Sequence, residues 1–173
     1  RARTGDCVIA RERCGVDSVE LGLPFSDPLA DGIVNQLAAD RSLRAGTTMP
    51  KVIDFIRDLR RETQIPLVLF TYLNPVYTYG FERFHNDAAA AGADGVLILD
   101  LPPDEASQNH ELVESAGLKH IRLIAPTTPE ERIELIAAQS EGFIYYVSRE
   151  GVTGVQASLS TGIAAQVKLI KSH

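Results

Sequence analysis

No apolar run in this chain approaches the roughly 18 residues that a membrane helix needs, and its Arg-rich first residues lead into no signal-peptide core, so the cytoplasm is the expected location. Basic residues are not in excess either: 17 Lys and Arg against 23 Asp and Glu give a net charge of -6. They are scattered rather than gathered on one face, which argues against a nucleic-acid partner. Only two cysteines occur, Cys7 and Cys14. Seven residues apart in a helical segment they share a face without bridging easily, and they are expected to be buried thiols of a reducing compartment. The four histidines form no H-x-x-x-H or Cys/His pattern, so no metal is expected. No Ser/Gly-rich linker or charge block divides the chain, and one domain over residues 1–173 is expected. A 45% apolar share with 23% charged residues is enough for that domain to form a core.

What is present is a recurring alternation. Short apolar runs at Ser18 to Gly22, Pro66 to Leu73, Asp94 to Leu101, His120 to Thr127 and Phe143 to Ser148 read as strands. Most are apolar nearly throughout, as in a parallel sheet covered on both faces. Helical patterns fall between them at Met49 to Thr63, Phe81 to Ala91, Asp104 to Ala116 and Pro129 to Gln139. In the first, Val52, Ile53, Phe55, Ile56 and Leu59 are placed inward and Arg60 among the outward charges. Gly15, Gly92, Gly117 and Gly142 stand where a left-handed residue closes a helix. A (β/α)₈ barrel and a doubly wound sheet both fit such an array. No G-x-G-x-x-G follows the first run, which lowers the dinucleotide-binding alternative. Polar residues instead end nearly every strand: Glu20, Tyr72 with Asn74, Asp100, Thr127 with Thr128, and Ser148 with Arg149. Barrel active sites are built there, but five strands, with a vestige of another at Arg3 to Gly5, fall short of the eight in a barrel of about 250 residues.

The densest chemistry lies between Ser18 and Gly32. An apolar run carrying one carboxylate, Glu20, passes into Leu23-Pro24-Phe25-Ser26-Asp27-Pro28-Leu29-Ala30-Asp31-Gly32, which presents a second, Asp31. By residue type alone, Glu20 is equally a solvated strand end, Asp31-Gly32 a turn or helix cap, and Asp27-Pro28 a turn initiator.

With Val19-Glu20-Leu21-Gly22 before it, that stretch resembles the signature of the tryptophan synthase alpha chain family. Tyr72-Leu73-Asn74-Pro75, Asp100-Leu101-Pro102, Ala125-Pro126-Thr127-Thr128-Pro129, Tyr145-Tyr146-Val147-Ser148 and Gly151-Val152-Thr153-Gly154 resemble the same family in the same order, over nearly the whole chain. The resemblance implies an α/β fold of the (β/α)₈ TIM-barrel family, here an incomplete barrel of about five to six βα units with a parallel sheet. It also implies a carbon-carbon lyase of tryptophan biosynthesis that cleaves indole-3-glycerol phosphate to indole and glyceraldehyde 3-phosphate. Glu20 matches the family's catalytic acid/base, and Val19, Leu21 and Leu23 are expected to raise its pKa. Asp31 matches the second carboxylate, which accepts the indole N–H. Tyr145 matches a pocket tyrosine, Phe25, Phe70 and Leu99 are candidate indole contacts, and Thr153 and Gly154 belong to a loop that closes over substrate. The family commonly has Pro where this chain has Ile33.

The same resemblance implies no cofactor in this chain, with pyridoxal phosphate carried by a beta chain that receives the indole. An α2β2 heterotetramer is expected, with Asp27, Pro28, Asn74 and Pro102 at the contact. Thr4-Gly5-Asp6 resembles the close of the family's first strand, and the family's phosphate-holding turns follow its seventh and eighth strands, so the chain reads as truncated at both ends. A catalytically weak chain that only binds the beta partner is the alternative function.

Overall fold

Helices and strands alternate along the chain much as the apolar periodicity predicts. The computed structural model describes residues 2–147 and 162–172, the side chains of residues 2, 3, 103, 104 and 106–110 excepted. The elements run α1 (Ala2–Arg13), β1 (Val19–Gly22), α2 (Ile33–Arg44), α3 (Met49–Leu59), β2 (Leu67–Thr71), α4 (Leu73–Tyr79), α5 (Phe81–Ala91) and β3 (Gly95–Ile98). They continue with α6 (Pro103–Ala116), β4 (Lys119–His120), β5 (Arg122–Ile124), α7 (Glu130–Ala138), β6 (Ile144–Tyr146) and α8 (Ile163–Ile170). Every strand pairing is parallel, β1-β2-β3-β4 in one sheet and β5-β6 in another. Gly15, Gly92, Gly117 and Gly142 all have positive φ, as their positions after helical patterns predict.

Side chains alternate between two buried faces. Val19, Leu67, Leu69, Val96 and Ile98 face the helices and join Val52, Ile53, Ile56 and Leu59 of α3 and Phe84, Ala88 and Ala91 of α5 in the main core. On the other face Val68, Leu97 and Ile121 form a second cluster, with Phe70, Leu99 and Tyr145 packed against it. A third, smaller core of Ile124, Ile133, Ile136 and Ile170 lies between β5, α7 and α8. Near-continuous apolar strands follow from this double coverage.

Five sequence expectations are corrected. Arg3 to Gly5 is no strand but part of α1, where helical hydrogen bonds satisfy a backbone that a three-residue strand without a partner would leave unmet. Cys7 and Cys14 are exposed free thiols, not buried ones, because Val8 is the α1 residue that enters the core. Leu73 and Asn74 do not extend β2: the chain turns into α4 directly after Tyr72, and Pro75 is accommodated in the first turn of that helix. The run from His120 to Thr127 is split at Ile121, whose N–H donates to Val96 O at 3.0 Å before the chain changes partner from β3 to β6. Arg60, read as outward, stands one helical turn after Ile56 on the buried face of α3, with only 14% of its side chain exposed.

Gly95 allows the closest approach in the sheet. A Cβ there would lie 2.9 Å from the backbone oxygen of Lys119, so β3 and β4 would have to part. Gly95→Ala is expected to cost about 1–3 kcal/mol, read from urea unfolding. An unchanged midpoint would mean that the two strands yield freely.

Candidate functional site

β1 sets Glu20 on the sheet face that carries Phe70, Leu97 and Tyr145, through the register Glu20 to Val68 and Gly22 to Phe70. Val19 and Leu21 point to the opposite face, where Val19 joins the main core and Leu21 packs against it. Beyond β1, Leu23 N–H donates to Phe70 O at 2.9 Å, and the chain runs out to a turn closed by Asp31 N–H on Pro28 O at 3.0 Å. Gly32 follows as the N-cap of α2 and offers no side chain for the role, so Asp31 stands just outside the helix rather than capping it.

Tyr72 holds this turn in place. Its buried hydroxyl accepts the N–H of Ala30 at 3.0 Å and donates to Asp31 Oδ2 at 2.9 Å. From the other side Asn35 Nδ2 donates to Asp31 Oδ1 at 3.1 Å. Each carboxylate oxygen thus has one fixed donor and keeps a lone pair for a further one. Burial, first among the causes, and the neighbouring Asp31 carboxylate push the Tyr72 phenol up to about 12, so it remains a donor at any ordinary pH.

The two carboxylates meet on one cavity of about 510 Å³, lined among others by Glu20, Asp31, Asn35, Phe70, Tyr72 and Tyr145. Partial burial raises the Glu20 carboxyl above its ordinary 4.5, although its residue as a whole is exposed and water limits the effect. Of the apolar neighbours expected to raise it, Val19 and Leu21 face the main core on the opposite side of the sheet, and only Leu23 lines the cavity, together with Pro24, Phe70 and Tyr145. The Tyr145 hydroxyl is raised too, by burial first and then by the charge of Glu20. A carboxyl group that holds its proton beyond the usual range, on the same cavity as a carboxylate held by two donors, can give a proton and stabilise a neighbouring cation.

The remaining candidate residues separate. Phe70 lines the cavity and stacks at 6.0 Å, ring centre to ring centre, on Tyr145. Leu99 packs on the same cluster of Val68, Leu97 and Ile121 as these rings, and Phe25 packs on Tyr72 at 5.4 Å; neither lines the cavity. Thr153 and Gly154 lie outside the described residues. Asp27 is exposed and accepts Ser26 Oγ at 2.6 Å, and Pro28 is half-buried. Asn74 and Pro102 are exposed at the starts of α4 and α6. Tyr72 and Asn35 were not singled out as site residues. The signal for Tyr72 was its place at a strand end within Tyr72-Leu73-Asn74-Pro75. Asn35 gave none beyond being four residues, one helical turn, from Asp31. Among the described residues no group of three His, Cys, Asp or Glu side chains is placed to hold a metal. No helix there is long and apolar enough to cross a membrane.

A family model described as tryptophan synthase alpha chain matches residues 1–173. The chain belongs to that family. A tryptophan synthase alpha chain of Geotalea daltonii is 48% identical over 170 residues, covering 98% of this chain and 64% of the relative. That of Geobacter sulfurreducens is 52% identical over 155 residues, covering 87% and 59%. The fold superimposes with a TM-score of 0.89 on a chain of the tryptophan synthase α2β2 complex of the hyperthermophile Pyrococcus furiosus, at 35% identity over 98% of this chain and 68% of the other. A Legionella pneumophila alpha chain gives 0.85 at 34% identity, with 98% and 61% covered. The parallel sheet of the tryptophan synthase alpha fold is therefore an incomplete (β/α)₈ barrel here, and the chain spans 64% of the length of relatives such as the Geotalea protein.

Proposed function

We propose that this chain carries the lyase chemistry of the tryptophan synthase alpha family, the cleavage of indole-3-glycerol phosphate to indole and glyceraldehyde 3-phosphate. The observation that carries the reading is the cavity on which Glu20, Asp31 and Tyr145 meet. Glu20 delivers a proton to C3 of the indole ring, which places positive charge on the ring nitrogen. Asp31 accepts the N–H of that ring and stabilises the charge, which is absent from the ground state. The bond between C3 and the glycerol carbon then breaks, the hydroxyl on that carbon gives up its proton to a base, and the carbon leaves as the aldehyde. Glu20, having lost its own proton, is placed to take it. Phe70 and Tyr145 offer the aromatic wall against which an indole would lie. Phe25, packed on Tyr72, and Leu99, packed on the cluster of Val68, Leu97 and Ile121, support the site from outside the cavity, and Thr153 and Gly154 contribute to substrate binding.

The reading places the chain as one domain in the cytoplasm, with a beta chain that receives the indole and holds pyridoxal phosphate. Asp27, Asn74 and Pro102 are exposed and Pro28 half so, as a contact with such a partner requires. The α2β2 complex named for the Pyrococcus furiosus relative supports it. Incubating the folded chain with indole-3-glycerol phosphate, alone and with a beta chain, is expected to release indole. No indole above background in either case would refute the lyase reading. If the chain nevertheless co-purified with a beta chain and stimulated its reaction of indole with serine, it would be a binding partner only.

A further inference from the structure

Only Tyr72 separates β2, ending at Thr71, from α4, beginning at Leu73. A connection of one residue has little freedom of its own, so whatever fixes the backbone on its two sides also fixes the Tyr72 ring. On the β2 side the sheet does this: Leu99 N–H donates to Thr71 O at 2.9 Å, and Thr71 Oγ1 donates to Tyr72 O at 3.1 Å. On the α4 side, Tyr72 is the N-cap residue but makes no side-chain capping bond, which leaves the first helical N–H groups in need of acceptors. One of them is met from another strand. Leu73 N–H donates to Asp100 Oδ1 at 2.6 Å, from the second residue past the end of β3. A carboxylate oxygen is a strong acceptor, and the bond is short.

We propose that Asp100 is a positioning residue for the carboxylate Asp31: it anchors the start of α4, and through Tyr72 it holds the turn that presents Asp31 to the cavity. The route is continuous, from Asp100 to the Leu73 N–H, to the Tyr72 backbone and phenol, and then to Ala30 N–H and Asp31 Oδ2. It rests on the reading of Asp31 as the charge-stabilising group. Asp100 is not among the residues that line the cavity, so a side chain that reads in sequence only as a polar strand end governs a bond between residues 41 positions apart.

Two measurements on the whole chain test this. In amide hydrogen exchange followed by NMR, Asp100→Asn keeps an acceptor for Leu73 and is expected to leave both Leu73 and Ala30 protected to within about threefold. Asp100→Ala is expected to lower protection about tenfold at Leu73 and also at Ala30, the amide bonded to the Tyr72 hydroxyl. Tyr72→Phe should expose Ala30 alone. Loss at Leu73 with Ala30 unchanged in Asp100→Ala would overturn the proposal, because the bond would then be a local helix cap. In indole release, Asp100→Ala should lower kcat about tenfold in the unsubstituted chain and leave it nearly unchanged in Tyr72→Phe, while Asp100→Asn restores it. Equal losses in both backgrounds would also overturn the proposal. The underlying reading has its own test. If Asp31→Asn releases indole at the unsubstituted rate, Asp31 is not the stabilising group, and the functional meaning given to Asp100 falls with it whatever the exchange data.

Discussion

Glu20→Gln is expected to lower indole release by roughly 10²- to 10⁴-fold while leaving the fold intact. Gln matches the size of the side chain but can neither give nor take the proton at C3. The shifted carboxyl provides an internal control that separates lost chemistry from lost structure. Burial raises the Glu20 pKa in the folded state above its ordinary 4.5, so between those two values the folded chain binds more protons than the unfolded one. Stability from this group is then fully present below pH 4.5 and declines as pH rises through the folded pKa. Gln has no charge to bury. At pH 7 the variant should therefore unfold at an equal or slightly higher temperature than the unsubstituted chain, and the two should coincide near pH 4. Because Glu20 must start with its proton, the rate of the active chain should fall as pH rises through a group titrating above 4.5, and Glu20→Gln should erase that limb. Retained activity, or a collapse of thermal stability at pH 7, would contradict the assignment.

Arg60→Ala should be the most destabilising of the substitutions considered, at about 3 kcal/mol, or about 10 °C in melting temperature for a chain of this size. The guanidinium leaves the end of α3 and donates to Gly92 O at 2.5 Å and Ile65 O at 2.6 Å, and it pairs with Asp94. Asp94 in turn accepts the N–H of Leu67 at 2.8 Å. One side chain thus ties α3 to the start of β2 and to the turn before β3. Its ion pair is the lesser part, because 53% of the Asp94 side chain is exposed and water screens the charge. The greater part is the carbonyls that would lose a fixed, charged donor, Ile65 being buried. Asp94→Asn, which still offers an oxygen to Leu67, should accordingly cost less than about 1 kcal/mol. Urea unfolding of both variants decides the matter, and equal losses would mean that the ion pair dominates after all.

Arg60 also shows where sequence pattern stops being informative. Its charge groups it with its outward neighbours, but at about 100° per residue it falls between Ile53 and Ile56 on the buried face of α3, and its long side chain runs on to carbonyls that no pattern reveals. α3 and α5 were legible because one face of each is apolar and buried. α2 was not delimited, since none of its residues is buried and Ile33, Val34 and Leu37 are exposed. α4 was hidden by Asn74-Pro75, which reads as a loop although proline is compatible with a first helical turn. For the site, the motif around Glu20 and Asp31 marked both carboxylates. What it could not convey was their support, because Tyr72 and Asp100 come from two later strand ends that only the sheet register brings alongside.

The change of partner at Ile121 divides the described structure into two units of unequal core. The larger is the sheet from β1 to β4 with its helices and their extensive core; the smaller is β5, α7, β6 and α8 around four isoleucines. Ile121 is the seam, its amide bonded to β3 and its side chain packed on Val68 and Leu97. Few buried contacts make for a low cost of local opening, so the smaller unit is the part to loosen first. Glu20 and Asp31 are built on the larger unit, but Tyr145, the wall opposite them, is carried by the smaller. The cavity therefore takes its walls from both sides of the seam, and Tyr145 keeps its place in it by packing across the seam on Val68 and Leu97.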